Sequence, residues 1–255
     1  VPWTFAHPAA ILPLRRLCPR WLSLPGLVIG SLTPDLGYYG GQLSLASFSH
    51  TPLGIAVCCL PLGLLLLALL LRLRRPLTVL LPTPHRQLIR SHIGSPARLV
   101  AVKVLIAAQS IALGATSHVL WDSFTHGGHW GVSLLPFLSL HVFDAGNRQI
   151  YVFNVLQHLS TVMGLAAMTV TYRRAIRATA SSASLPELDT RRIRLLLAGL
   201  ACSITVGLLA AVALDAMSPG SPSLFVVRTT VWSTTCFAAL YLLGSIAWWR
   251  RLGDG

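Results

Sequence analysis

Long apolar runs separated by arginine-rich segments organise this chain. Five stretches, Pro52–Leu71, Leu99–Leu120, Ile150–Tyr172, Leu195–Met217 and Leu224–Trp249, approach or exceed the roughly 20 apolar residues that a helix needs to cross hydrocarbon. They predict an all-α, polytopic membrane protein with five transmembrane helices. Ahead of them, Pro8–Leu17 predicts a short amphipathic helix with Arg15 and Arg16 at its polar end. Trp21–Leu32 is apolar but is broken by Pro25, Gly26 and Gly30, and is short for a span. As a sixth span it would place Asp35 at its outer end. As a re-entrant or interfacial hairpin it would let His7 approach the polar residues downstream. A Pro-Asp closing so short an apolar helix favours the hairpin. The chain then reads as one integral membrane domain, residues 1–255, with N-terminal helices over 1–51 and a helix bundle over 52–251. Thr179–Leu188 reads as a Ser/Ala-rich connector, and no internal repeat is visible.

Composition supports the membrane assignment. Mean hydropathy is +0.67 with 11% charged residues, against roughly 25% in soluble domains. Nineteen Arg and one Lys (Lys103) face seven acids, a net charge of +13. In a soluble protein such a balance would suggest nucleic acid. Here the arginines lie between apolar spans, so membrane lipids and topology signals explain them and no nucleic-acid partner is expected. Arg72, Arg74, Arg75, Arg86, Arg90 and Arg98 follow the first span. Arg173, Arg174, Arg177, Arg191, Arg192 and Arg194 follow the third, and Arg250 and Arg251 follow the fifth. If the spans alternate, all three groups share one side, which the positive-inside rule makes cytoplasmic. The Arg-for-Lys bias suggests a bacterial gene, hence the bacterial cell membrane. Five cysteines without a Cys-x-x-Cys read as small packing residues, and Val1–Ala10 shows no signal-peptide pattern.

The chemistry concentrates where the second span ends, in the run from Ser117 to His129, SHVLWDSFTHGGH. His118 and Asp122 are four apart and share one face of a helix, and His126 follows four later, before Gly127 and Gly128. Imidazole and carboxylate on one face is ligand geometry for zinc or a similar divalent ion. The side assigned from arginines alone also collects Asp35, His50, His118, Asp122, His126, His129 and His141. Only His85 and His92 fall opposite. Ionisable groups at a membrane edge are costly and mark functional sites by default.

Longer motifs carry a resemblance. Trp3-Thr4-Phe5-Ala6-His7-Pro8-Ala9-Ala10 with Leu12-Pro13-Leu14, Gly30-Ser31, Pro34-Asp35, His50 before Gly54, His118 through His126, and Gln157-His158-Leu159-Ser160 before Gly164 resemble the uncharacterised bacterial membrane family known as domain of unknown function 4184. A looser similarity links the order of His and Asp residues to bacterial membrane-bound metal-dependent hydrolases, zinc-dependent phospholipase C and P1 nuclease. That similarity implies His7, Asp35, His50, His118, Asp122, His126 and His158 as metal ligands. It also implies hydrolysis of a phosphoester or lipid-like substrate. The chain departs from the phospholipase pattern at Val162, where that family has a carboxylate; Asp144 or Gln157 are the substitutes at hand.

Other chemistries lack their motifs. There is no Gly-x-Ser-x-Gly elbow, no phosphate-cradling Gly-x-x-x-x-Gly-Lys and no Gly-x-Gly-x-x-Gly. Two readings stand. The first is an enzyme using an extracytoplasmic metal site, with Arg148 or an N-terminal arginine holding an anionic substrate. The second is a non-enzymatic membrane protein whose metal serves structure, sensing or transport. Transporters carry ionisable residues along several spans near the midplane, whereas here Lys103, His158, Asp215 and Arg228 are the main exceptions.

Overall fold

A computed structural model describes residues 3–17, 20–93, 101–146, 148–180, 190–218, 220 and 222–253. Arg98 and residues 181–189, most of the expected connector, lie outside the described residues. The chain divides into two compact units, Val1–Leu69 with Pro96–Arg174, and Leu70–Ser95 with Ala175–Gly255.

In the first unit, helix α1 (Pro8–Leu17) folds back beside α2 (Leu24–Leu32). Ile11, Leu22 and Leu27 form their shared core, flanked by Leu12, Leu14, Leu24 and Val28. Ser23 caps α2, its hydroxyl accepting the Gly26 N–H at 3.3 Å with Pro25 in the first turn. A single 3₁₀ turn, Thr33–Asp35, follows α2 and carries Asp35. Helix α3 (Leu43–Ser49) ends at His50. The helical run α4 (Pro52–Arg72) opens under a Thr51 cap and contains a π-turn at Ile55–Cys59.

Helix α5 (Ala101–Thr125) organises this unit. Its buried residues Ala107, Ser110, Ile111, Gly114, Ala115, His118 and Asp122 recur at three- and four-residue spacing, one stripe along the helix. The stripe packs against α2 at backbone distance. A Cβ on Gly30 would lie 2.1 Å from the Ile111 carbonyl oxygen, and one on Gly114 would lie 2.3 Å from that of Leu27. Gly26 and Gly30, four apart on α2, make this approach possible, the use of small residues that helix pairs in membranes share. The same stripe ends in His118 and Asp122, so the α2–α5 contact sets where Asp35 meets them.

Beyond α5, Gly128 adopts φ +80° and reverses the chain. An antiparallel hairpin of β1 (His141–Ala145) and β2 (Arg148–Tyr151) follows, with Gly146 at φ +61° in its turn. The fold is all-α as expected, and this short hairpin is its one two-stranded exception among the described residues. Ile150 and Tyr151, expected to open the third span, belong to β2, and helix α6 (Val152–Ala180) starts after them.

In the second unit, α7 (Thr190–Met217) and α8 (Pro222–Gly253) pair through Ser203, Gly207 and Ala211, a stripe of small residues at i, i+4 and i+8. Gly207 lies hard against Ser233. The turn Arg74–Thr78 packs on α8, where the Tyr241 hydroxyl donates to the Leu77 carbonyl at 2.5 Å.

Four helices among the described residues are long and apolar enough to cross a membrane: Pro52–Arg72, Ala101–Thr125, Thr190–Met217 and Leu224–Leu252. Their large side chains, among them Leu65, Leu105, Leu209 and Leu243, are exposed, as lipid-facing residues are. Helix α6 is not among the four; Asn154, Gln157, His158, Ser160 and Thr161 interrupt its apolar character.

Candidate metal centre

Three elements deliver four ligand atoms to one point inside the first unit. Asp35 comes from the turn after α2, His50 from the end of α3, and His118 and Asp122 from the last turns of α5. Their ligand atoms lie within 4.8 Å of one another. Asp35, His118 and Asp122 are buried, and the His50 side chain is 13% exposed, which puts the opening on its side.

Backbone carbonyls aim both imidazoles. His118 Nδ1 donates to the Ser31 carbonyl at 2.7 Å, and His50 Nδ1 donates to the Ala46 carbonyl at 2.8 Å. Each ring therefore turns its Nε2 lone pair towards the carboxylates. A partner on the far nitrogen is what orients a metal-ligating histidine. The Ser31 carbonyl lies at the end of α2, where helix carbonyls seek partners outside the helix. Asp35 is fixed in the same manner, its Oδ2 accepting the Thr4 hydroxyl at 2.5 Å while Thr4 in turn accepts the Tyr39 hydroxyl at 3.2 Å. That leaves Asp35 Oδ1 facing the imidazoles.

The imidazole–carboxylate spacing leaves room for an ion between the four side chains. His50 Nε2 lies 3.4 Å from Asp35 Oδ1 and 3.6 Å from Asp122 Oδ2. His118 Nε2 lies 3.4 Å from each of the same two oxygens. Imidazolium–carboxylate hydrogen bonds would close to about 2.7–2.9 Å. Donors about 2.0–2.2 Å from a tetrahedral ion instead lie roughly 3.3–3.6 Å apart. The four observed separations match those tetrahedral edges. Consistently, His118 Nε2, Asp35 Oδ1, Asp122 Oδ1 and His7 Nε2 are buried with no hydrogen-bond partner. They account for every such atom among the described residues of the first unit. An unmatched buried polar atom costs about 1–3 kcal/mol, and here four converge.

Charge is balanced accordingly. Burial would raise the Asp35 carboxyl, but the His118 and His50 imidazoles and the Thr4 hydroxyl outweigh it and hold it well below the usual carboxylate range. Burial would lower His50, but Asp122 and Asp35 prevail and push it up to about 10. An ion entering this cluster displaces that proton, since a ligating imidazole must be neutral. Burial, reinforced by His118, lowers His7 to about 4, leaving its ring neutral at neutral pH.

Of the seven ligands that resemblance implied, Asp35, His50, His118 and Asp122 form the four-donor centre. His7 sits beside it, its ring stacked on His118 at 3.6 Å between centroids, with Nε2 3.5 Å from Asp122 Oδ1. This is the approach that the N-terminal hairpin expectation required. His126 lies at the edge, with Nδ1 donating to the Asp122 carbonyl at 3.0 Å. His158 is exposed on α6 and stands outside the cluster; its neighbour Gln157 is buried and places Nε2 3.4 Å from His126 Nε2. Asp144 pairs with His141 at 2.9 Å on the exposed hairpin, away from the centre. Thr4 and Tyr39, which fix Asp35, were missed as site residues, although Thr4 lies inside the N-terminal motif.

The family described as Domain of unknown function (DUF4184) matches residues 1–247. No curated protein and no solved structure matches the chain.

Proposed function

We propose that this chain, which belongs to the DUF4184 family, is an integral membrane metalloprotein that hydrolyses a phosphoester or related bond in a lipid-like substrate. One observation carries the reading: the ligand atoms of Asp35, His50, His118 and Asp122 gather within 4.8 Å, three of the side chains are held from behind by hydrogen bonds, and Asp35 Oδ1 and His118 Nε2 are buried with no partner of their own. Two imidazoles with two carboxylates suit zinc or a similar divalent ion. Such an ion would supply Lewis acidity and bring a water's pKa towards about 7. The protein's part is to offset its charge with Asp35 and Asp122, to keep the site dry, and to leave access past His50.

A closed four-ligand shell also characterises structural zinc, and this observation favours a second reading in which the ion only stabilises the fold. Metal analysis and chelation of the purified chain separate the two. Both readings expect bound divalent metal, and chelation lowers the melting temperature; at ion concentrations 100-fold over Kd the lost stability is about 2.7 kcal/mol. The hydrolase reading further expects phosphoesterase activity that disappears on chelation and returns with the ion. Bound metal with no turnover of phosphoester or phospholipid substrates leaves the structural reading. A folded protein that binds no metal defeats both.

The site is proposed to face the extracytoplasmic side. With α6 crossing, the arginines at and beyond the C-terminal ends of α4 and α6, and those in the last turn of α8, fall on one side. Without it, Arg173, Arg174 and Arg177 would oppose Arg72, Arg74 and Arg75, against the positive-inside rule. Its 29 residues span about 43 Å, enough to cross. Reporter fusions after Arg90 and after Gly131 are expected to give opposite signals, and equal signals overturn this orientation.

A further inference from the structure

We propose that a second divalent ion binds beside the four-donor centre, held by His7 Nε2 and Asp122 Oδ1, with Asp122 bridging the two ions. The proposal rests on the metal reading of the first centre and deepens it.

Asp122 presents its two oxygens to different partners. Oδ2 faces His50 and His118, at 3.6 and 3.4 Å. Oδ1 faces His7 Nε2 at 3.5 Å. Both Oδ1 and His7 Nε2 are buried and unpartnered, and the two side chains are only 4% and 2% exposed. Their separation again exceeds the about 2.7–2.9 Å of a charge-assisted hydrogen bond and again matches the roughly 3.3–3.6 Å between two ligands of one small ion. A first ion among Asp35, His50, His118 and Asp122 Oδ2 leaves this second pair unsatisfied.

Rigid surroundings hold the pair in place. The His7 ring is stacked on His118, 14° from parallel, so the two imidazoles are positioned together. His7 follows the short turn Thr4–Ala6, whose Thr4 also anchors Asp35. His126 Nδ1 lies 4.0 Å from Asp122 Oδ1, but that nitrogen donates to the Asp122 carbonyl and the opposite one meets Gln157. His126 therefore walls the position without filling it.

The two positions differ in character. Protein donors complete the first shell, whereas the second has two protein donors and leaves its remaining positions to water or to an anionic oxygen. Carboxylate-bridged ion pairs of this kind serve in-line displacement at phosphate esters. The open ion is the one that a phosphoryl oxygen of the substrate would meet.

The test is the ion content of the full-length chain in detergent, dialysed against buffered Zn²⁺ and then against Mn²⁺. Wild type is expected to hold about two ions per chain, with His7→Gln and His7→Ala retaining about one. Saturating Mn²⁺ is expected to give the spin-coupled spectrum of an ion pair in wild type, a readout that needs no variant to fold. One ion per chain in wild type with an uncoupled spectrum overturns the second site and leaves the four-donor reading standing. Two ions retained in folded His7→Gln overturn the assignment of His7. No ion in wild type overturns the underlying reading itself.

Discussion

Asp122→Asn is expected to cost more metal affinity than any other single change that preserves side-chain volume. The substitution removes the negative charge and replaces one of the two oxygens with an amide nitrogen that cannot ligate. Outer-shell partners of metal ligands are worth 10–100-fold in affinity, so a direct ligand of this centre should cost more than about 100-fold. Asp122 serves His50 and His118 through one oxygen and His7 through the other, so both proposed ion positions lose a ligand together. Metal content and any hydrolytic activity are expected to fall together. His158→Ala and Asp144→Ala should leave both unchanged, because both residues are exposed and outside the cluster. Wild-type metal content in folded Asp122→Asn would overturn the assignment of Asp122 as a ligand.

Much of this centre is legible in the sequence, and the parts that are not have identifiable causes. His118 and Asp122 follow from helical periodicity alone, since i and i+4 share a face and α5 is unbroken from Ala101 to Thr125. Asp35 and His50 lie far from that helix in sequence; their convergence follows from motif order, not from any local rule. Their backbone anchors could not be read at all, because the Ser31 and Ala46 carbonyls become partners only through tertiary packing. The exchange of His158 for Gln157 has a different origin. Adjacent residues point about 100° apart on a helix, so the phase of α6 decides which of them turns inward. That helix has no strongly apolar face to announce its phase, and its first turn starts two residues later than expected because Ile150 and Tyr151 pair in β2.

Gly30→Ala is expected to damage the proposed metal centre without touching a ligand. The added methyl would lie 2.1 Å from the Ile111 carbonyl oxygen and 2.7 Å from the Ile111 Cα. Both are backbone atoms of α5, and no side-chain rotation relieves the overlap. The two helices must separate, and overpacking of this kind typically costs about 1–3 kcal/mol. Ser31 is the next residue and Asp35 stands at the turn just beyond, so a displaced α2 carries with it both the carbonyl that aims His118 and a carboxylate of the centre. Loss of bound metal should therefore accompany the lower melting temperature. Gly199→Ala supplies the contrast, because a Cβ there meets nothing within 4 Å, and exchanging Gly for Ala within a helix is worth up to about 1 kcal/mol of added stability. Gly199→Ala should retain full metal content. If Gly30→Ala keeps the wild-type melting temperature and metal content, the backbone contact between α2 and α5 does not set the geometry of this site.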